Sequence, residues 1–360
     1  MNMLVSILWF LLIFCVVVVS HEFGHFIIAK ANGIKVLEFY VGFGPKIIHW
    51  KKGDTEYSVR LIPLGGACVF AGMDAVSMEK SAEDGEKSEP EKGSFLAATV
   101  WSRFATVIAG PVFNVILGFI IAFIMVNMIA IREPVVTEVL PGGAAEKAGL
   151  EAGDRIVSLN GEKVCLYDDL VLYTTVHEGE DIVMVYERDG KKYSTVLAPL
   201  FSEEYGRYMI GISNADFAEL KGADSIKYAW YEVRYNLKMT YSSLYMLVRG
   251  KVKSTDVAGP VGIAVNVVGE TYAQTKAYGI KTVVINMMNI ALMLTINIGI
   301  LNLLPVPALD GGRLLFLIIE MLRGKPVPQE KEALVHFVGI IFFLILVVFI
   351  FFNDIRNIFF

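Results

Sequence analysis

The sequence predicts a polytopic α-helical membrane protein with about four transmembrane helices. Three observations carry that expectation. Of the 360 residues, 55% are hydrophobic and only 19% are charged, less charge than a soluble domain carries. The apolar excess is gathered into blocks at 3–19, 104–131, 282–309 and 333–353, none of which holds a charged residue. Between the second and third blocks lies 132–281, long enough for a folded domain and a connector.

A bilayer core about 30 Å thick needs about 20 apolar helical residues. The three later blocks meet that length, and the first runs on into the polar turn Ser20–His25. A cleaved signal peptide would need a basic start and a small-residue cleavage site. No Lys or Arg precedes Lys30 and no A-x-A-like site follows the run, so the first block is expected to stay as a membrane anchor. The net charge of −5 argues against nucleic acid as a partner. Cys15, Cys68 and Cys165 lack paired spacing, which excludes a disulfide framework and a cysteine-type zinc site.

Four spans leave three connecting segments. Within the first, Thr55–Pro63 is strand-like, and 74–92 carries seven acidic and three basic residues, a composition expected of a mobile solvated loop. The third, 310–332, holds Arg313, Arg323, Lys325 and Lys331, which places it in the cytoplasm by the positive-inside rule. Both termini and the 132–281 segment then lie outside, and the first loop lies inside.

The chemistry begins at His21-Glu22-Phe23-Gly24-His25, an H-E-x-x-H pattern. On a helix, His21 and His25 are one turn apart and share a face. Two imidazoles at that spacing can hold one zinc ion, and Glu22 beside them can act as general base. The competing reading is a pair of interfacial histidines with a snorkelling Glu. The motif's continuity with an uncharged span weighs against it, because polar groups there are costly without a reason. A catalytic zinc takes three protein ligands and an open position, so a third ligand must come from elsewhere. The candidate is Asp310, the first charge after 28 uncharged residues. Pro305 and Pro307 break the helix before it, and Gly311 and Gly312 free the backbone after it. By itself Asp310 reads equally well as an ordinary helix end. Asn302, eight positions upstream, carries an amide able to bind an unwound substrate backbone.

The pairing of H-E-F-G-H on a first span with Asn302-Leu-Leu-Pro-Val-Pro-Ala-Leu-Asp310-Gly-Gly on a late one resembles the site-2 protease family of intramembrane zinc metalloproteases, in its bacterial regulator-of-sigma-E form. Val41-Gly-Phe-Gly-Pro45 and Ile62-Pro-Leu-Gly-Gly66 resemble that family's membrane-associated β region. Ala109-Gly-Pro-Val-Phe-Asn114 resembles the start of its second span, and Ala258-Gly-Pro-Val-Gly-Ile-Ala264 a segment before its third. The resemblance implies one Zn2+ per chain held by His21, His25 and Asp310, Glu22 as base, and Asn302 as a holder of the substrate strand. It also implies single-span membrane proteins as substrates, such as anti-sigma factors or remnant signal peptides, cut after an upstream site-1 protease. The expected place is the bacterial cytoplasmic membrane, with the active site toward the cytoplasm.

Gly149-Leu-Glu-Ala-Gly-Asp-Arg-Ile-Val-Ser-Leu-Asn-Gly161 resembles the core of bacterial PDZ domains. Val135–Leu140, Asp181–Glu187 and Lys192–Leu197 alternate like strands, with Asp189-Gly190 as a hairpin turn. The best-studied relatives carry two such modules, and this chain has room for one. It either captures peptide ends by strand addition or blocks bulky substrates, and the second reading is favoured. The expected organisation is a first transmembrane helix at 1–30, the β region at 31–73, the charged loop at 74–97 and a second transmembrane helix at 98–131. The PDZ domain, of α+β type, follows at 132–200 and a post-PDZ connector at 201–280. A third transmembrane helix at 281–312, a cytoplasmic loop at 313–332 and a fourth helix at 333–353 complete the chain.

Residues 218–253 mix Trp230, Tyr231, Tyr235, Tyr241 and Tyr245 with Lys and Arg, which suits an interfacial helix or a soluble helix packed on the PDZ domain. In the expected mechanism a substrate helix unwinds near the zinc and pairs with the β region's edge at Thr55, Tyr57, Val59 and Leu61. Two other readings stand beside the protease: a PDZ-bearing scaffold with a non-catalytic metal site, and a zinc transporter or sensor. The transporter needs polar residues along several spans, and the last span offers only His336, expected as a helix-end residue. His49 and His177 are expected at the surface.

Overall fold

A computed structural model describes residues 3–72, 91–213, 222–252 and 258–359. In chain order it has helix α1 (Met3–Ala31), strands β1 (Val36–Lys52) and β2 (Thr55–Phe70), and helix α2 (Val100–Val126). Then come β3 (Glu138–Val139), α3 (Ala144–Lys147), β4 (Arg155–Leu159), β5 (Glu162–Lys163), α4 (Tyr167–Val176), β6 (Ile182–Arg188) and β7 (Lys191–Leu197). Strands β8 (Leu200–Ser202), β9 (Arg207–Met209) and β10 (Ile212–Ser213) precede helix α5 (Ala223–Val248). The last part holds α6 (Pro260–Gly262), a π-helical stretch (Ile263–Gly269), α7 (Glu270–Thr275), α8 (Ile280–Leu303), α9 (Asp310–Arg323) and α10 (Gln329–Phe359).

Four helices are long and apolar enough to cross a membrane: α1, α2, α8 and residues 330–356 of α10. They coincide with the four uncharged blocks. Helix α1 contains no proline, so it runs unbroken from the apolar block through His21 and His25. It stops where Gly33 adopts φ 73° and Ile34 N–H closes on the Ala29 carbonyl at 2.9 Å.

The chain forms two compact units, one from residues 1–118 and 253–360, the other from 119–252. In the first, β1 and β2 each pair twice. Phe39 lies opposite Cys68 and also opposite Tyr57, while Tyr57 lies opposite Trp50 as well. Positive φ at Gly42, Gly44 and Gly65 accompanies these changes of register. The stretch 55–59 is therefore flanked by 38–41 on one side and 46–52 on the other. This corrects the expected substrate edge: Thr55, Tyr57 and Val59 belong to an interior strand, and the outer strands are 46–52 and 66–70.

Two apolar clusters hold this unit. Phe10, Ile13 and Val17 of α1 pack with Ala264, Val268, Val283 and Met287. Ala29, Ile34, Val36 and Phe70 pack with Val107 of α2 and with Leu314 and Leu317 of α9, which fixes α9 against the polar end of α1. Helix α8 stops at Leu303, where Leu304 takes the extended conformation that a following proline favours. The third span is thus shorter than 281–312, and Asp310 opens a new helix. Most of the expected loop 313–332 is that helix, because Leu314, Leu317 and Met321 recur at helical spacing facing the core. Helix α10 is tied at its far end by the buried Asp354 carboxylate, which accepts the N–H groups of Gly259 and Gly262 at 2.8 Å each. Elsewhere it exposes Phe337, Phe342, Phe349 and Phe352, a surface suited to lipid.

The second unit has a four-stranded antiparallel sheet in the order β5-β4-β6-β7 over a core of Ile156, Leu159, Leu170, Ile182 and Met184. The expected turn is present, with Asp189 and Gly190 at φ 51° and 72°. Strand β10 pairs back on β3, so the sheeted body runs past the expected boundary at 200. Helix α5 follows, with Trp230, Tyr241 and Tyr245 exposed. Of the expected charged loop 74–97, residues 74–90 lie outside the described part of the chain.

Candidate active site

Three side chains converge where α1 meets the start of α9. His21 Nε2 lies 3.2 Å from His25 Nε2, and Asp310 Oδ2 lies 3.0 Å from the first and 3.2 Å from the second. These are the one group of three potential metal ligands among the described residues. Zinc bonds of about 2.0–2.2 Å in a tetrahedral shell set neighbouring ligand atoms about 3.3 Å apart. The observed triangle has that size, so the donor set fits a zinc ion.

Local geometry explains the placement of each of the three side chains. Residues four apart on a continuous helix put both imidazoles on one face. His25 Nδ1–H donates to the Thr106 carbonyl at 2.9 Å, which leaves the Nε2 lone pair facing the other ligands. Helix α2 must come very close for this. A Cβ at Gly110 would collide with the His25 ring and lie 2.8 Å from His21 Cε1, and one at Gly24 would lie 2.8 Å from the Ala109 carbonyl carbon. Small residues at both helices permit the approach.

Asp310 arrives by a different route. Between Leu303 and Asp310 the chain is not helical, and Ala308 holds φ 80°. The Ala308 N–H donates to His336 Nδ1 of α10 at 3.2 Å. Gly339, one turn further along α10, leaves space for Pro307, since a Cβ there would lie 2.8 Å from the Pro307 carbonyl carbon. Gly311 is needed for a similar reason, its Cβ falling 2.5 Å from Leu303. His336 is thus no metal ligand but a prop for the loop that presents Asp310. His49 is exposed, as expected, while His177 stacks on Tyr173 at 4.2 Å.

A cavity of about 250 Å³ opens onto the triad, lined by Val18, Glu22, Ile298, Asn302, Ala308 and Leu309 besides His21, His25 and Asp310. Glu22 and Asn302 are therefore brought to the site. Thr55, Tyr57, Val59 and Leu61 do not line it. Thr55 is buried with its hydroxyl donating to the Val36 carbonyl at 2.7 Å, and Tyr57 stacks on Trp50 at 5.4 Å. Val59 and Leu61 are exposed away from the cavity lining. The part of β2 that reaches the site is its other half: the Cys68 main chain hydrogen-bonds Glu22, and a Cβ at Gly66 would lie 3.6 Å from Glu22 Cγ. Sequence reasoning missed this edge, together with Thr106, Gly110 and His336. Gly110 had a visible signal in Ala109-Gly-Pro-Val-Phe-Asn114, whereas a backbone carbonyl such as Thr106 leaves none.

Comparison with known proteins agrees with this geometry. The profile of peptidase family M50 matches residues 9–346. Zinc metalloprotease RasP of Geobacillus kaustophilus is 32% identical over 98% of this chain and 98% of its own length. Zinc metalloprotease RasP of Bacillus licheniformis is 33% identical over 98% and 99%, respectively. Regulator of sigma-W protease RasP of Bacillus subtilis is 31% identical over the same shares. With a zinc-sized triad joining a membrane-length helix to the start of α9 and relatives matching end to end, the chain belongs to peptidase family M50, the site-2 family of zinc metalloproteases.

Proposed function

We propose that His21, His25 and Asp310 hold the zinc, that Glu22 is the general base, and that the enzyme cuts single-span membrane proteins in or near their transmembrane segment. The convergence of the three ligand atoms at 3.0–3.2 Å beside Glu22 carries this reading. A zinc ion held by His21, His25 and Asp310 would activate the attacking water and polarise the scissile carbonyl. Glu22 takes the proton of the attacking water and delivers it to the leaving amine. Asn302, which lines the same cavity as Glu22, hydrogen-bonds the unwound substrate backbone. The strand-pairing role passes from Thr55–Leu61 to the 66–70 edge, whose Cys68 main chain already reaches Glu22. Pairing there satisfies backbone groups that lipid cannot.

The β1–β2 sheet is the membrane-associated β region in this reading, supported by exposed Phe43, Ile47, Ile48, Trp50, Leu61 and Ile62. The segment expected as a PDZ domain acts as a size filter on the extracytoplasmic side. Helix α5 lies at the membrane interface through Trp230, Tyr241 and Tyr245. The protein resides in the bacterial cytoplasmic membrane with its active site toward the cytoplasm, and acts after a site-1 protease on anti-sigma factors or remnant signal peptides.

Glu22→Gln tests the core of this. The purified variant should keep one zinc per chain while cleavage of a co-expressed single-span substrate falls by at least about 10². Normal cleavage by that variant would overturn the assignment of the base.

A further inference from the structure

Metal ligation through Nε2 requires each imidazole to carry its proton on Nδ1, and the acceptor facing Nδ1 sets that tautomer. For His25 the acceptor is a main-chain carbonyl, Thr106 O, which cannot turn. For His21 the group facing Nδ1 is the side-chain amide of Asn114, with Nδ2 at 3.4 Å. Asn114 is fully buried in an apolar span, and its Oδ1 has no hydrogen-bond partner among the described residues. A polar side chain in that position needs a reason. A half-turn about χ2 exchanges the amide oxygen and nitrogen, so either atom can be aimed at the ring. The backbone beneath it is pinned from two sides: Thr295 Oγ1 donates to Asn114 O at 3.0 Å, and Ser20 Oγ donates to Phe113 O at 3.3 Å.

We infer that Asn114 is a positioning residue for the metal site, which turns Oδ1 toward His21, accepts its Nδ1–H and so holds the His21 Nε2 lone pair toward the metal. The two imidazoles then have matched outer partners, one a carbonyl of the backbone and one an amide oxygen, both supplied by α2. The inference rests on the zinc reading above.

The test is zinc affinity of the full-length protein in detergent, measured by competition with a chromophoric chelator, together with the d–d spectrum after cobalt substitution. Asn114→Val removes the acceptor and should weaken zinc binding about 10- to 100-fold. It should also dim the tetrahedral cobalt band. Asn114→Asp keeps an acceptor and should stay within about threefold of wild type with an unchanged band. Should Asn114→Val fail to elute as a single species, Asn114→Ala replaces it with the same expected loss. Equal affinities in the Val (or Ala) and Asp variants, whether both at the wild-type level or both weakened, would overturn the inference. Wild-type protein that binds no zinc would instead sink the metal-site reading, so the two failures are distinguishable.

Discussion

The two sides of the candidate metal triad are built on opposite principles. His21 and His25 sit on one unbroken helix, and their mutual placement follows from 3.6 residues per turn. Asp310 sits just after a six-residue break, on a backbone with a left-handed Ala308, and is placed by contacts with another span. A helix fixes the mutual placement of its side chains by local hydrogen bonds, so it cannot yield when a neighbour presses on them. A broken segment has no such ladder, so its precision comes from whatever packs on it. Substitutions should therefore act differently on the two sides.

The largest effect is expected from Gly110→Ala. The new Cβ collides with the His25 ring on the rigid helical side, where neither helix can yield cheaply. Zinc content and cleavage should both fall by about 10² or more. Retention of stoichiometric zinc, by metal analysis of the purified variant, would break the idea that the helical side cannot adapt.

A smaller effect is expected on the propped side. His336→Leu removes the acceptor for Ala308 N–H, a loss of about 1 kcal/mol and hence about fivefold in zinc affinity. The His21–His25 pair should be untouched, so the cobalt spectrum should keep its shape while the affinity drops. An unchanged affinity would show that Pro307 packing on Gly339 places the loop unaided.

The smallest effect concerns the other unit and sharpens the comparison by its independence of the metal. Burial pushes the half-buried Glu232 carboxyl up to about 7, helped by Asp168 and Asp169 and opposed by Arg132. A carboxyl with a raised folded pKa binds its proton more tightly when folded. Its contribution to stability is then lost as pH rises from its ordinary value of 4.5 through about 7. Glu232→Gln should raise the unfolding temperature of this unit by a few degrees at pH 8 and change it little at pH 5. Thermal unfolding followed by tryptophan fluorescence checks this, and equal shifts at both pH values would refute it.

Much of the site could be read from residue order. The four membrane-length helices follow from uncharged blocks long enough to cross a bilayer. His21, Glu22 and His25 follow from helical spacing. Asp310 was identifiable as the first charge beyond two prolines, although its position at the start of a new helix was not. The place of Thr55–Val59 in the sheet was misread as an edge for a physical reason. Alternation marks Thr55–Pro63 as a strand but does not say how many neighbours that strand has. Only the bends near Gly42, Gly44 and Gly65 fold β1 and β2 back on themselves and put 55–59 inside the sheet. His336 was read as a helix-end residue because its partner, a backbone N–H 28 positions away, has no side-chain signature.

By itself the sequence determined what depends on local periodicity and on solvent preference: the membrane-length helices, the paired imidazoles with Glu22 beside them, and the hairpin at Asp189-Gly190. Tertiary structure alone decided which strand edge reaches Glu22, which helix presses on the histidines, and how the loop before Asp310 is propped. Those outcomes depend on close packing between residues up to 289 positions apart. Such packing is settled by the volume and hydrogen bonding of both partners together, which no single stretch of chain contains.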